Sequence, residues 1–403
     1  MKHTRRAILF ALAFTLLFGM SSVAHASGAG IEWDNLNQEL EELYGAGKYD
    51  RSVAVAQKAL RVAERNVGPE HPDVATSLNN LGSLYDKQGD YARAEPLYKR
   101  SLAIREKALG PNHPDVALSL NNLAGLYQNR GDYAAVEPLY KRSLAIREKT
   151  LGPDHLDVAQ SLNNLAQLYR TKGDSAAAEP LYKRSLAIVE KALGPDHPHV
   201  ALILNNLAAL YCTRGDFAAA APLLKRSLAI REKVLGPDHP DVAMSLNNLA
   251  ELYKTRGDYD KAEPLYTRSM AIFEKALGPD HPFIATNLNN LAELYRTRGD
   301  FARAEPLYKR SLSIDEKTFG PYHPAVATDL NNMALFYETR GDYVKAEALY
   351  KRSLAILEEA LGPDHPDVAT SLENLAALYR ALKRDSEAEA LEQRAARIRA
   401  IKR

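Results

Sequence analysis

Histidine is the side chain most readily turned to proton transfer or metal binding near neutral pH, and eight histidines recur in this chain with strict regularity. His71, His113, His155, His197, His239, His281, His323 and His365 stand 42 residues apart, each before a proline except His155, which precedes Leu156. To share one metal, their nitrogens would have to lie ~2 Å from the ion. Packed helices lie roughly 8–10 Å apart, so equivalent residues of successive repeats cannot converge on it. The His-Pro pairs instead mark helix starts, with proline at the first helical position, where its missing N–H costs nothing. His199 beside His197 breaks the pattern once, which is too little for a site.

Other chemistry is equally sparse. No G-x-S-x-G, H-E-x-x-H, P-loop or paired-cysteine motif is present. Carboxylates are plentiful, but most recur at surface positions such as Glu106 and Glu148, and no clustered departure from the repeat marks a catalytic site. Cys212 is the only cysteine; it cannot form an intramolecular disulfide and reads as one small residue at a variable helix position. The expectation is a protein without catalytic residues, metal or cofactor.

The elements that carry these residues follow from one repeat, His71 to Asn112. Val74, Leu78, Leu81 and Tyr85 fall at i, i+4, i+7 and i+11, one apolar stripe of an α-helix. Gly89-Asp90 should stop that helix. Ala94, Leu97, Tyr98, Ser101, Leu102, Ala108 and Leu109 give a second stripe, ended by Gly110-Pro111. Pro96 lies about a turn into this second helix, so a late start or a bend is expected there. Tyr91 and Tyr98 read as core, and the recurring Lys99-Arg100 as a solvated face. Neither helix can bury its stripe alone, and stacking repeat on repeat supplies a continuous core.

Asn80-Leu81-Gly82, Tyr85, Gly89, Tyr91, Ala94, Tyr98 and Ser101 resemble the packing residues of the tetratricopeptide repeat. Most repeats carry alanine in place of Gly82, as at Ala124 and Ala166, which also suits a close helix contact. The longer period, with REKALGPDHPDVA joining the repeats, is most similar to the kinesin-light-chain type. The resemblance covers about residues 31–403 and implies an all-α fold, a right-handed superhelical α-solenoid of stacked helix-turn-helix units.

It also gives meaning to a recurrence that helix propensity does not explain. Asn79-Asn80, Asn121-Asn122, Asn163-Asn164, Asn205-Asn206, Asn247-Asn248, Asn289-Asn290 and Asn331-Asn332 occupy the first helices, and the last repeat has Glu373-Asn374. Thr76, Asn80, Ser83 and Lys87 share a stripe beside the buried one. The resemblance implies that first helices line the concave side, where asparagines at the place of Asn80 bind a peptide backbone. The peptide-groove residues are then Asn80, Asn122, Asn164, Asn206, Asn248, Asn290, Asn332 and Asn374. A side-chain amide can donate to one carbonyl and accept from one N–H. An extended chain rises ~3.3 Å per residue, so rungs ~10 Å apart would meet about every third residue. The competing reading is that the pairs bond neighbouring turns and fix the stacking. Specificity should lie in the variable positions Asp86, Gln128, Arg170, Cys212, Lys254, Arg296, Glu338 and Arg380. Arg170, Lys254 and Arg296 would favour an acidic ligand segment, while Glu251 and Glu293, one turn away, would partly cancel them.

The flanks complete the organisation. Residues 1–26 join a basic start (Lys2, Arg5, Arg6), an apolar run from Ala7 to Met20 and Ala24-His25-Ala26. This is the pattern of a bacterial secretory signal peptide, cleaved after Ala26. The run is short for a membrane span, which needs roughly 20 residues, so an uncleaved anchor is the second reading. Residues 27–70 form a degenerate N-terminal capping repeat, with an acidic first helix and the single Trp33, read as core before partner anchor. Seven regular repeats occupy 71–364, and a C-terminal repeat with a charged capping helix occupies 365–403. A length of 403 residues would suggest two or three domains; the repeat overrides that prior, and no effector domain is expected beyond the array. Without Met1–Ala26 the chain has 49 Lys+Arg against 51 Asp+Glu, a balance lacking the basic footprint of a nucleic-acid binder. The expected function is a non-catalytic protein-interaction scaffold in the bacterial cell envelope, binding an extended segment of a partner protein in its groove. Alternatives are a self-associating spacer of the envelope and an accessory subunit of an enzyme complex. No membrane insertion is expected once the signal is removed.

Overall fold

The computed structural model describes residues 28–45 and 48–401, so the expected signal peptide lies outside the described residues. These residues form eighteen helices and no strand. The first pair is α1 (Ile31–Gly45) and α2 (Tyr49–Val67). Next come α3 (Pro72–Lys87) with α4 (Tyr91–Leu109), and α5 (Pro114–Asn129) with α6 (Tyr133–Leu151). The middle pairs are α7 (Leu156–Thr171) with α8 (Ser175–Leu193), and α9 (Pro198–Thr213) with α10 (Phe217–Leu235). They are followed by α11 (Pro240–Thr255) with α12 (Tyr259–Leu277), and α13 (Pro282–Thr297) with α14 (Phe301–Phe319). The chain ends in α15 (Pro324–Arg340) with α16 (Tyr343–Leu361), and α17 (Pro366–Ala381) with α18 (Asp385–Ile401).

Each regular repeat punctuates itself with the same local chemistry. The His71 imidazole accepts the backbone N–H of Asp73 through Nδ1 at 3.2 Å, and Pro72 follows at the first helical position. The same cap recurs at every one of the eight histidines, His155 included. Each cap uses Nδ1 as the acceptor, which fixes the ring's orientation at the helix start. Gly89 takes a positive φ of 75° between α3 and α4. Asp90 then caps α4 by accepting the Arg93 N–H at 3.0 Å. Gly110 closes α4 at φ 87°, ψ 155°, a conformation open to glycine alone.

Proline inside the second helices behaves differently from the sequence expectation. Helix α4 does not start late: it begins at Tyr91, well before Pro96. The carbonyl that Pro96 leaves without its donor is that of Ala92, in the first turn, where helical bonding is only beginning, so the helix tolerates it.

Packing within a repeat is closed by one buried bond. Ser101 Oγ donates to the Ala75 carbonyl at 2.7 Å, and Ser143, Ser227, Ser269, Ser311 and Ser353 do the same to Ala117, Ala201, Ala243, Ala285 and Ala327. The close approach of the two helices explains the small residue at position 82. A Cβ there would stand 3.2 Å from Tyr98 Cε1, and the Tyr98 ring is buried. Leu78, Leu84, Leu120, Leu126 and Leu162 are fully buried, each contributing ~1.5–3 kcal/mol of transfer free energy.

The described chain divides into two compact bodies, one through Leu168 and one from Tyr169. In the first, each helix from α1 to α6 packs on the next; in the second, the same holds from α8 to α18. The product is a solenoid of helix-turn-helix repeats. At the N-terminus Trp33 is buried and its Nε1 donates to Ser77 Oγ at 2.7 Å, so it is a core residue of the first repeat. At the C-terminus Lys383 takes φ 59° where the regular repeats place glycine.

Candidate protein-interaction surface

Within each compact body the first helices of adjacent repeats touch directly, as α3 does α5, and α13 does α11 and α15. Their shared face carries the asparagine pairs, which form a ladder. Asn80 Nδ2 donates to Asn37 Oδ1 at 3.1 Å, Asn122 to Asn79 at 2.8 Å and Asn164 to Asn121 at 2.9 Å. In the second body Asn290 donates to Asn247 at 3.1 Å and Asn374 to Asn331 at 2.9 Å. The second asparagine of one repeat thus grips the first asparagine of the preceding one. Stacking by these amides is therefore part of the fold, whatever else they bind.

The ladder is not uniform. Asn80, Asn122, Asn164 and Asn248 are only 4–8 % exposed, whereas Asn206, Asn290, Asn332 and Asn374 are half-buried. It is interrupted where Asn205 Oδ1 and Asn289 Oδ1 lie buried without a donor. At the second break Asn289 Nδ2 turns to the Asp329 carboxylate instead.

The variable basic positions lie on the same helices but are not free cations. Lys254 is nearly buried between two carboxylates, 2.8 Å from Glu251 and 2.8 Å from Glu293. Burial opposes its charge, but the two carboxylates outweigh that and hold its pKa above the ordinary lysine value. Arg296 is 3.7 Å from Glu293 and donates to Thr339 at 3.1 Å. Tyr266 completes the network with a 2.7 Å bond to Glu251. The partial cancellation expected from the sequence is thus a direct ion-pair chain, and two of the three basic positions bring little net charge to the surface. Arg170 carries a buried Nε without a hydrogen-bond acceptor. Cys212 is buried, and burial, with a smaller effect of Glu251, pushes its thiol up to about 12, leaving it unreactive.

The second helices are joined by ion pairs that the sequence showed only as a charged face. Arg100 meets Glu64 at 2.8 Å and Arg142 meets Glu106 at 2.7 Å. In the second body Arg226 meets Glu190, Arg268 meets Glu232, Arg310 meets Glu274 and Arg352 meets Glu316. A further set joins each second helix to the next first helix. Glu95 accepts from Tyr127 at 3.0 Å and from Arg130, and Glu179 from Tyr211 at 3.0 Å and Arg214 at 2.6 Å. Exposed pairs are worth ~0–1 kcal/mol each, so they fix register more than they add strength. Among the described residues no group of three or more histidine, cysteine or acidic side chains could hold a metal, and no helix is long and apolar enough to cross a membrane.

Repeated hairpins, joined by recurring bonds, define an α-solenoid repeat protein. The tetratricopeptide repeat model matches residues 43–107, 88–149, 115–191, 172–233, 199–275, 241–317, 283–359 and 325–400, and the chain belongs to that family. Its repeats serve protein–protein interaction in general. No curated protein is matched. Among solved structures, a Rap protein complexed with Competence and Sporulation Factor is 16 % identical. That match covers 92 % of this chain and 99 % of the other, with a TM-score of 0.61. Aspartyl phosphate phosphatase F from Bacillus subtilis is 13 % identical over 90 % of this chain and 94 % of its own, with a TM-score of 0.55. At these identities the likeness is one of fold alone. Another similar structure is a putative kinesin light chain of Podosopora anserina with nearly identical repeats, 28 % identical. It covers 51 % of this chain and 96 % of its own, with a TM-score of 0.43.

Proposed function

We propose that this chain is an exported, non-catalytic scaffold that binds an extended segment of a partner protein along its first helices. The observation that carries this reading is the asparagine ladder. It sets an amide in a bonded, fixed orientation at most rungs, and a periodic row of amides matches the periodic backbone of an extended peptide. Fixed side chains lose little entropy when a ligand arrives, which favours binding. The ion-pair chain of Lys254, Glu251, Glu293 and Arg296 supports a ligand chosen by hydrogen bonding more than by charge. Export is supported by the basic, apolar and small-residue segments of Met1–Ala26.

Site-specific photocrosslinking tests the reading without disturbing the ladder. Crosslinkers replace Ser83, Gly125 or Ala377 on first helices, and Lys99 or Lys183 on second helices, in the mature chain incubated with envelope extract. Crosslinks to one partner from the first-helix positions alone, competed by a peptide from that partner, are expected. Crosslinks confined to Lys99 and Lys183 would place binding on the other face and sink the groove reading.

A further inference from the structure

One pair of positions joins each second helix to the following first helix inside the core. Arg105 of α4 donates through Nη1 to Ser119 Oγ at 3.0 Å and the Asp115 carbonyl at 3.2 Å, and through Nη2 to Thr76 Oγ1 at 3.1 Å. Arg147 meets Ser161 at 2.9 Å and Arg231 meets Ser245 at 3.0 Å in the same register. Elsewhere the pair is Val189 with Ile203, Phe273 with Asn287, or Leu357 with Ser371. One seam is unlike all of these: the positions hold Asp315 on α14 and Asp329 on α15.

Both carboxyl groups are in the interior, Asp315 7 % and Asp329 2 % exposed, at facing columns of the packed helices α14 and α15. Asp329 Oδ1 accepts from Asn289 Nδ2 and lies 3.1 Å from Ser311 Oγ, whose one hydroxyl proton goes to the Ala285 carbonyl at 2.8 Å. Asp315 Oδ1 and Asp329 Oδ2 are buried with no hydrogen-bond partner. Helix α13 offers the pair the uncharged Asn289. Helix α14 offers Ser311 and Glu316, and Glu316 is held by Arg352 of α16 at 2.6 Å. His323 begins α15 but caps it and stacks on Phe319 at 4.5 Å. Neither aspartate has a cationic partner among the described residues. Two buried carboxylates without a cation cannot both stay ionised, and the inexpensive resolution is to keep a proton.

We propose that Asp315 and Asp329 share a proton that closes the α14–α15 seam, making this joint of the array sensitive to alkaline pH. The shared proton supplies the donor that one carboxylate oxygen lacks, and the Asn289 amide stabilises the remaining negative charge. Burial first, and for Asp315 the neighbouring carboxylate next, raise both groups far above the ordinary aspartate range. The folded chain therefore holds protons that the unfolded chain has already released. Stability contributed by the pair is greatest at acid pH and is lost as pH rises through neutrality.

The repeats themselves supply the control. Asp315→Arg combined with Asp329→Ser rebuilds the Arg231–Ser245 seam, and Asp315→Asn alone keeps the pair short of one charge. Thermal unfolding of the mature chain and both variants is followed from about pH 5 to about pH 9, a window that spans the titration. Wild type should lose at least ~2 °C relative to the variants as pH rises, with hydrogen exchange accelerating in α14 and α15. Carbon-13 carboxyl NMR should show the pair giving up its shared proton well above ~4. Parallel melting curves, or carboxyls that ionise near ~4, would overturn the proposal. So would Ca²⁺ or Mg²⁺ restoring wild type alone at high pH, since a cation would then fill the seam. If the double variant does not fold, Asp315→Asn and the wild-type titration decide the matter.

Discussion

Replacing Asn122 with alanine removes the amide that donates to Asn79 Oδ1 at 2.8 Å. Both residues are buried, Asn122 5 % and Asn79 4 % exposed, so the orphaned oxygen cannot turn to water. Leaving a buried acceptor unsatisfied costs ~1–3 kcal/mol, against ~0.5–1.5 kcal/mol for an ordinary net hydrogen bond. Asn374→Ala breaks an equivalent 2.9 Å bond to Asn331, but both of those residues are half-buried and water can replace the donor. The expected losses are ~2 kcal/mol for Asn122→Ala and ~0.5 kcal/mol for Asn374→Ala. Amide hydrogen exchange is the right assay, because long repeat arrays do not unfold in one step. A loss of ~2 kcal/mol appears as roughly 30-fold faster exchange in α3 and α5. Removing both Asn79 and Asn122 should recover part of the loss, since no partner is then left unsatisfied. Equal effects at the two rungs, or strictly additive losses in the double variant, would refute the ladder as a stacking device. Alanine replacement of these amides is for the same reason a poor test of binding.

Two further predictions follow from packing and from the caps. Leu207→Ala, in a buried position of α9, should cost ~2–5 kcal/mol, whereas Leu391→Ala in the partly buried α18 should cost ~1 kcal/mol; equal melting losses would count against a nearest-neighbour solenoid. His323 is pushed down to about 4 by burial, so its contribution is present above ~6.5 and is lost as pH falls toward 4, up to ~3 kcal/mol. His323→Asn keeps a good cap without the titration, and its stability should vary less between about pH 7 and about pH 4; an unchanged slope would show that His323 does not titrate with folding.

Helix positions, their starts at His-Pro and their ends at glycine were legible because each depends on local chemistry: a stripe at helical period, a cap, a proline. The stripe through Val74, Leu78, Leu81 and Tyr85 needed nothing beyond its own spacing. Pro96 misled because its cost depends on its distance from a helix start that sequence alone placed too late. The asparagines were recognised as meaningful, but their orientation depends on a residue 43 positions away. The same limit hid the Arg100–Glu64 ladder and the histidine caps, whose decisive atom is Nδ1. Asp315 and Asp329 could have been found by aligning the repeats in register, since no other repeat places two acids at those columns. Reading along the chain conceals them, because 14 residues separate them on different helices.

Departures at this seam are matched at some joints, and the fold explains why. Arg105, Arg147 and Arg231 each face a serine hydroxyl, Val189 faces Ile203, and Asp315 faces Asp329. A buried guanidinium opposite isoleucine would lack its acceptor, and a single buried aspartate opposite valine would lack any donor; either error costs several kcal/mol. A change at one column is therefore often met by a change on the helix packed against it, although Leu357 stands opposite an unchanged Ser371 whose hydroxyl is buried without a partner. The outer Arg–Glu pairs face no such restriction, because water can replace either partner, yet they stay nearly constant. Their uniformity must come from register: the same pair at every step sets each repeat at the same offset. Variation is then concentrated in the inner seam and along the first helices, where a partner segment would read it.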